Sequence, residues 1–381
     1  MGAAGRKKLR RGFATGACAA AAATAAWRLL AGRRPGKSLT LVFPDGKRRR
    51  LPLAGMELAR NEARAWVCKE AGDDPDVTNG IVIRARVRCR RPGAPAAPED
   101  FVLPCGSGEI VLRAGRGVGR VTRPGLEVPP GKWAINPVPR QMLVANLAAA
   151  GFGRRPAGIL VEISADGGEE IGKRTLNPVL GVVGGISILG TSGIVVPYSH
   201  AAYLATIKVL LRGVAAAGGT TVVLATGGRT HKAAVRDFPA LPATAFIRIG
   251  DFIAESLELA AGMGIRRVIV ACMAGKLYKY AQGFPYTHAH TVSLTCDDLV
   301  RVVAGQGGSG EVLARCAASR SVREALGYLP PPLRTRVLAV VGRRAAAQIS
   351  RWFAPGRGEV RLYSPAGELQ AAWPLAAEEE P

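Results

Sequence analysis

Apolar and polar residues alternate in short runs over the first 150 residues, and the runs end at glycine and proline. Alternation of this kind is typical of half-buried strands. The turn Pro44-Asp45-Gly46 between two such runs predicts a β-hairpin. A helix is predicted within residues 137–150. The predicted strands cover residues 38–43, 47–53, 62–70, 81–89 and, as short pieces, 101–121.

Beyond residue 150, apolar runs of strand length alternate with longer helical patterns. Such alternation predicts a mostly parallel sheet. The expected fold class is therefore α/β plus α+β. A strand-rich N-terminal α+β domain over residues 1–150 precedes a C-terminal α/β domain over residues 151–381. The predicted strands of the second part are 158–164, 220–225, 245–249 and 266–271, its helices 198–217, 252–263 and 333–353, and its hairpin 359–373.

The stretch LRRGFATGACAAAAATAAW, residues 9–27, has two interpretations. Two arginines before an apolar run suggest an export signal. Alanine is also the best helix former, and Thr15 stands where an N-cap would precede the run. Because the run lacks leucine until Leu29, we favour a helix of a folded protein. Its first backbone N–H groups are then a candidate anion site.

The charge balance is strongly basic, with Lys+Arg 52 against Asp+Glu 28 and a net charge of +24. Such a charge attracts polyanions, either a nucleic acid or a small substrate with several carboxylates. Aromatic residues are only 6%, and no nucleic-acid-binding motif is present. Seven cysteines without a CxxC pair predict neither a disulfide framework nor a cysteine zinc site. No apolar run is long enough to predict a membrane span.

A glycine-rich segment at residues 176–197 is the most unusual part of the chain. Its apolar run, residues 185–189, has the length of a strand, and the turn GTSG follows it. A glycine-rich turn between a strand and a helix allows backbone N–H groups to approach a ligand closely. A tight connection without a ligand, or a nucleotide site at the GTSG turn, are the alternatives. The candidate ligand residues are Gly184, Gly185, Gly190, Thr191, Ser192 and Gly193.

Other candidates follow the predicted strands of the second half. Ligands of open α/β sheets bind at the carboxyl ends of strands, which is where Thr226, Gly227 and Asp251 fall. Asp251 is a candidate for binding ribose hydroxyls, or alternatively for capping the next helix. Lys276 would add an ammonium group at the same edge, and His288, in THAH, is a candidate base.

Two groups of charged residues, one acidic and one basic, are the remaining candidates for the functional site. Asp73, Asp74 and Asp76 form a carboxylate cluster, which is typical of a cation site, a general base or a solvated turn. Arginines placed among flexible turns suit bidentate binding of carboxylates. The candidates are Arg116, Arg120, Arg123 and Arg140.

Several of these segments together resemble the cobalt-precorrin-5B C(1)-methyltransferases of anaerobic cobalamin biosynthesis. The resemblance runs in order from about residue 9 to residue 290. The segments are LRRGFATGACAAAAA, EAGDDPDVTNG, GVGRVTRPGLEVPPGKWAINPVPR, LNPVLGVVGGISILGTSGIVVP and AGKLYKYAQGFPYTHAH.

The resemblance implies a cytoplasmic enzyme that uses S-adenosylmethionine to methylate C-1 of cobalt-precorrin-5B, giving cobalt-precorrin-6A. Cobalt arrives with the substrate, so no metal site is expected in the protein. The substrate is a polycarboxylate tetrapyrrole, with no nucleic-acid or membrane partner, and a homo-oligomer is left open. On this basis the donor is assigned to residues 184–193, 226–228 and Asp251, a proton transfer to Asp74, Asp76 or His288, and the substrate to Arg11, Thr15, Lys276 and the four arginines above.

Overall fold

The computed structural model describes residues 9–288, 297–353 and 356–375. The chain divides into two compact units, Met1–Ser199 and His200–Pro381. This division differs from the expected boundary near residue 150. The strand Gly158–Ala165 pairs with two strands of the first unit, so the chain around it belongs to that unit. Nothing in the local sequence pattern reveals such long-range pairing.

The first unit is built on one six-stranded sheet and the helices α1 Thr15–Leu30, α2 Pro137–Ala149, α3 Gly168–Lys173 and α4 Asn177–Leu180. The order of the sheet is β4-β5-β6-β11-β8-β7, and all pairs are antiparallel except β11 with β8. The strands of this unit are β1 Gly12–Phe13, β2 Ser38–Val42, β3 Arg48–Pro52, β4 Gly55–Leu58, β5 Glu62–Cys68, β6 Val82–Arg90, β7 Phe101–Cys105, β8 Gly108–Ala114, β9 Gly117–Val118, β10 Arg120–Val121, β11 Gly158–Ala165, β12 Val182–Val183, β13 Gly185–Ile186 and β14 Ile194–Val195.

Most local predictions for this unit are confirmed. The hairpin of β2 and β3, the strands β5 to β8 and the helix α2 lie where the pattern places them. The glycine-rich segment is different, because residues 185–189 do not form one strand. The segment instead supplies three two-residue strands, β12, β13 and β14, to separate small ladders with β10, β9 and β1.

Helix α1 lies in the core of the first unit, and 13 of its 16 residues are buried. Its alanine side chains contact β5 and β6, where Ala63, Ala65 and Ala85 are also buried. Small side chains on both surfaces permit a close approach of helix and sheet. The helix begins at Thr15 and its N-cap is Ala14, so the prediction that Thr15 is the N-cap is wrong by one position.

The second unit contains a five-stranded sheet with the order β16-β15-β17-β18-β19. The first four strands are parallel and β19 is antiparallel to β18, which confirms a mostly parallel sheet. The strands are β15 Thr221–Ala225, β16 Phe246–Arg248, β17 Arg267–Cys272, β18 Arg357–Tyr363 and β19 Leu369–Pro374. The helices are α5 His200–Ala216, α6 Gly228–Asp237, α7 Ile253–Gly262, α8 Ala274–Ala281, α9 Asp297–Gly305, α10 Gly310–Ala318, α11 Val322–Gly327 and α12 Pro331–Trp352.

Within the described residues, no helix combines the length and the apolar character that crossing a membrane requires.

The acidic cluster of the first unit, Asp73, Asp74 and Asp76, forms ion pairs and hydrogen bonds with neighbouring residues of that unit. Asp76 accepts a hydrogen bond from Lys69 Nζ at 2.6 Å, and Lys69 is only 1% exposed. The hydroxyl of Thr78 also donates to Asp76, at 2.6 Å. Asp73 pairs with the side chain of Arg10 at 3.1 Å. These contacts give the carboxylates structural partners, and Asp76 neutralises a buried ammonium group.

We predict that Ala22→Leu lowers the free energy of unfolding of the protein by about 1–3 kcal/mol. Ala22 is fully buried, so three additional heavy atoms have no space between helix and sheet. Ala145→Leu, at an exposed position of α2, is the matched control and should change stability by less than about 0.5 kcal/mol. Urea denaturation followed by circular dichroism measures both. Equal values for the two variants would contradict the close packing of α1.

We predict that Asp76→Asn destabilises the protein by about 2–3 kcal/mol, because it leaves the ammonium of Lys69 buried without a counter-charge. The double variant Lys69→Met/Asp76→Asn should recover most of the loss, since a methionine needs no counter-charge. Asp73→Asn removes the charge from an ion pair with the exposed Arg10 and should cost less than about 1 kcal/mol. Failure of the double variant to recover stability would contradict this role of Asp76.

The same pair predicts a pH dependence. Burial would raise the pKa of Asp76, but the hydrogen bonds from Lys69 and Thr78 and the charge of Lys69 lower it below its ordinary value. The stabilisation is therefore complete above the unfolded-state pKa of about 3.9 and is lost as the pH falls through the lower folded-state pKa. We predict that the free energy of unfolding of Asp76→Asn, measured from about pH 5 down to about pH 2, falls less steeply than that of the wild type.

Candidate functional site

The carboxyl ends of the strands in the second unit gather the predicted residues of that half of the chain. Thr226 and Gly227 follow β15, Asp251 follows β16, and Lys276 lies in the first turn of α8 after β17. The chain passes from β15 to β16 on one side, and then to β17 on the other side of β15. Such a change of direction opens a crevice beyond the strand ends, where α/β proteins bind ligands.

The loop after β15 leaves room beside its backbone. A Cβ added at Gly227 or Gly228 would meet no atom within 4 Å, and the same holds at Gly275 after β17. The hydroxyl of Thr230 donates to the carbonyl of Gly227 at 3.0 Å and accepts from its amide at 3.1 Å, which holds the loop. Because α6 begins at Gly228, the N–H groups of its first turn lie beside this space and are suited to an anionic group.

Asp251 is part of an ion pair rather than a helix cap. Its Oδ1 accepts hydrogen bonds from Lys276 Nζ and, at 3.1 Å, from the hydroxyl of Thr287. Helix α7 has Phe252 at its N-cap and no side-chain cap, so the capping alternative for Asp251 is wrong. The second oxygen, Oδ2, has no hydrogen-bond partner among the described residues. The side chain is 24% exposed, so this oxygen is available to a ligand.

The charges around Asp251 keep it ionised. Burial would raise the pKa of Asp251, but the hydrogen bond and charge of Lys276 and the hydroxyl of Thr287 hold it below its ordinary value. Lys279 lies one helical turn after Lys276, and its Nζ donates to the carbonyl of Thr287 at 2.7 Å. Burial and then the neighbouring Lys276 lower the pKa of Lys279. Sequence analysis missed Lys279, although an i, i+3 spacing places both lysines on one helix face.

An aromatic group that the sequence analysis also missed lies beside Asp251. The ring of Phe252 stacks on Tyr203, with centroids 5.2 Å apart, and contacts Tyr286 at 5.0 Å. Tyr286 in turn shares a hydrogen bond of 3.0 Å with His200. His288 stacks on Tyr286 at 6.1 Å, and its charge contributes to the low pKa of Asp251. The structure thus places His288 near Asp251, whereas His290 lies outside the described residues.

The glycine-rich segment lies in the first unit and not in the C-terminal region. Most of its glycines are required because a neighbouring backbone or side-chain atom leaves no room for a Cβ atom. A Cβ at Gly185 would clash with the carbonyl of Gly117, and one at Gly190 with Ala14. Gly190 and Gly193 also have positive φ angles of 131° and 73°. At Gly184, by contrast, the added Cβ would meet nothing within 4 Å. The exposed tip of the turn is Thr191 and Ser192.

Thr15 holds this segment to the start of α1. Its hydroxyl lies within donating distance of two carbonyl oxygens, that of Ser187 at 3.1 Å and that of Leu189 at 3.2 Å. The same hydroxyl accepts a hydrogen bond from the amide of Leu189 at 2.9 Å. The amide of Gly16 donates to the carbonyl of Leu189 at 3.0 Å. The helix N-terminus that the sequence offered as an anion site is therefore in contact with backbone carbonyls.

Four of the predicted arginines border the glycine-rich segment. Each lies on, or within two residues of, a strand that pairs with this segment. Arg120 is opposite Val183, and the side chain of Arg123 lies against Gly181. Arg11 and Arg116 directly precede the residues that pair with Val195 and Gly185. Arg140 differs, since its guanidinium lies 4.1 Å from the ring centre of Phe101. Burial lowers the pKa of Arg140.

The same segment and Tyr198, which directly follows it, have large apolar side chains that are each at least 37% exposed. They are Leu176, Val179, Val183, Leu189, Val196 and Tyr198. Tyr198 has a φ of 54°, and its amide donates to Asp74 at 3.3 Å. Exposed apolar side chains along a segment that is bordered by arginines are suited to a ligand with an apolar body and several carboxylates.

Comparisons with known proteins agree with these features. A family model described as CbiD matches residues 3–197. A curated relative named cobalt-precorrin-5B C(1)-methyltransferase, from Rubrobacter xylanophilus, is 43% identical over 84% of this chain and 79% of its own length. A relative of the same name from Methylococcus capsulatus is 39% identical over 98% of this chain and 95% of its own.

A crystal structure of a cobalamin biosynthesis protein (cbiD) from Archaeoglobus fulgidus is 28% identical, with a TM-score of 0.37, and covers 72% of this chain and 80% of that one. The family model and the curated relatives confirm the resemblance that the sequence motifs indicate. The chain therefore belongs to the CbiD family, and these curated relatives are named cobalt-precorrin-5B C(1)-methyltransferases.

Proposed function

We propose that this chain is an S-adenosylmethionine-dependent methyltransferase that methylates C-1 of cobalt-precorrin-5B to give cobalt-precorrin-6A in anaerobic cobalamin biosynthesis. The observation that carries the proposal is the identity of about 40% with enzymes of that name over most of the chain. The net charge of +24 suits a substrate with many carboxylates. The six cysteines of the described residues are free thiols, which suits a reducing compartment, so we place the enzyme in the cytoplasm.

We assign the methyl donor to the strand ends of the second unit. The open backbone at Gly227 and Gly228 gives the donor close access to the first N–H groups of α6, which suit its carboxylate. Oδ2 of Asp251 would accept hydrogen bonds from the ribose hydroxyls. Lys276 then orients Asp251 rather than binding the substrate directly. This assignment leaves residues 184–193, which lie in the first unit, for the substrate.

We assign the tetrapyrrole to the first unit. The exposed apolar side chains of residues 176–198 would contact the macrocycle, and the bordering arginines would bind its carboxylates. Arg116 and Arg120 pair with Glu169 at 3.0 Å and Glu99 at 3.6 Å, but such exposed pairs are weak and exchange easily. Thr15 would act by holding the segment in place.

Methyl transfer depends mainly on how the enzyme positions the donor and the substrate. When bound, the donor supplies a methyl group whose bond to sulfur breaks as the bond to C-1 forms, and sulfur keeps the electron pair. Such a transfer needs the three atoms in line, so the residues that orient donor and substrate supply most of the catalysis. Asp74 and Asp76 hold a backbone amide and Lys69, respectively. We therefore keep His288 as the candidate for moving a proton.

We predict that Gly228→Val weakens binding of S-adenosylhomocysteine by at least about tenfold, that is 1.4 kcal/mol. The valine would occupy the space beside α6, where an added Cβ meets no protein atom within 4 Å, so the thermal midpoint should stay close to that of the wild type. Gly310→Val is the matched control, because Gly310 is also the first residue of a helix and also faces open space. Calorimetry measures both affinities. Unchanged affinity in Gly228→Val would refute the donor assignment.

We predict that Arg123→Ala raises KM for cobalt-precorrin-5B about tenfold, as expected for the loss of one charged hydrogen bond. The affinity for S-adenosylhomocysteine should be unchanged. Arg91→Ala removes an exposed arginine between β6 and β7 and serves as the control for net charge. An assay with labelled S-adenosylmethionine gives both kinetic constants. An equal rise of KM in both variants would show that only the overall charge matters.

A further inference from the structure

Four arginines converge on a cavity of about 270 Å³ at the C-terminal ends of α1 and α2. Arg28 lies in the last turn of α1, Arg33 and Arg34 follow that helix, and Arg154 follows α2. The rest of the lining is Ala149, Ala150 and Gly151, so no acidic side chain of the described residues faces the cavity. We call this cavity the arginine pocket.

The arginines of the pocket have no partner that explains their convergence. Among the described residues, none of the four side chains forms an ion pair or a hydrogen bond. Elsewhere in the same unit several arginines do pair with acids, for example Arg84 with Asp166 at 2.7 Å. The guanidinium groups of Arg33 and Arg154 both border Gly151, since a nitrogen of each lies within 4 Å of the point that a Cβ of this residue would occupy.

Capping of the helix ends does not explain the convergence either. Arginine near a helix C-terminus commonly binds the last carbonyls. Here backbone amides already donate to those carbonyls, from Arg33 to Arg28 at 2.8 Å and from Ala31 to Trp27 at 2.9 Å. At the end of α2, the amide of Phe152 donates to the carbonyl of Leu147 at 3.0 Å. The guanidinium donors are therefore left for a ligand.

We propose that the arginine pocket is a binding site for a small multivalent oxyanion, of the kind that pyrophosphate or a tricarboxylate represents. Guanidinium groups bind phosphate and carboxylate oxygens in pairs, and a multivalent anion would relieve the repulsion between the converging charges. The pocket is separate from the glycine-rich segment. Thr15 contacts that segment at one end of α1, and Arg28 lies 13 residues later, roughly 20 Å along the helix axis. The proposal therefore does not depend on the methyltransfer site.

Calorimetric titration of the full chain with sodium pyrophosphate, and in parallel with citrate, at fixed ionic strength tests the proposal. We expect binding of at least one of these anions by the wild type, and at least a tenfold weaker affinity in Arg33→Ala/Arg154→Ala. Arg155→Ala is the matched control, since Arg155 is the exposed neighbour of Arg154 but does not line the pocket. Its affinity should stay within twofold of the wild type. Binding of pyrophosphate alone would identify a phosphate ligand, and binding of citrate alone would identify a carboxylate ligand.

Three outcomes would overturn the proposal. The first is that neither anion binds to the wild type. The second is an equal loss in Arg155→Ala, which would indicate diffuse surface charge. The third is binding that is lost in Gly228→Val but kept in Arg33→Ala/Arg154→Ala, which would place the anion at α6. If the double variant does not fold, Arg154→Lys replaces it, because lysine keeps the charge and loses the paired donors, so a weaker affinity is again expected.

Discussion

The hydroxyl of Thr15, together with the amide of Gly16, joins the buried start of α1 to the glycine-rich segment. The hydroxyl lies against two backbone carbonyls and one amide of residues 187–189. The contact is possible because alanines let the helix lie deep in the sheet, and because glycines let the segment approach the helix. The small ladders with β1, β9 and β10 hold the same segment, and they place the arginines along its border.

The basic excess of the chain is used in several ways. Exposed arginines such as Arg84 pair with carboxylates across the sheet, and the buried Lys69 is neutralised by Asp76. In the second unit, Lys276 fixes one oxygen of Asp251 and leaves the other available. The arginines of the pocket at the ends of α1 and α2 have no such partner within the part of the chain that the structure describes, and all four of them line one cavity.

Much of the local structure could be predicted from the sequence, since it depends on short-range chemistry. The hairpin at Pro44-Asp45-Gly46, the parallel strands β15 to β17 and the hairpin of β18 and β19 are confirmed. Helices α3, α4, α6 and α8 to α11 were missed, and only two of residues 185–189 belong to a strand. The site could be predicted only as a set of candidates. Aromatic partners such as Tyr286 come from distant parts of the chain, and no local pattern joins them to Asp251.

The sequence by itself determined the family, the candidate residues and most elements, because motifs, periodicity and turn residues are local properties. Only the tertiary structure decided which unit holds the glycine-rich segment, since β11 and the small ladders depend on pairing between strands far apart in sequence. It also decided that Asp251 forms an ion pair instead of capping α7. The partner of a charged side chain is set by which groups folding brings within hydrogen-bond distance, and sequence spacing does not contain that information.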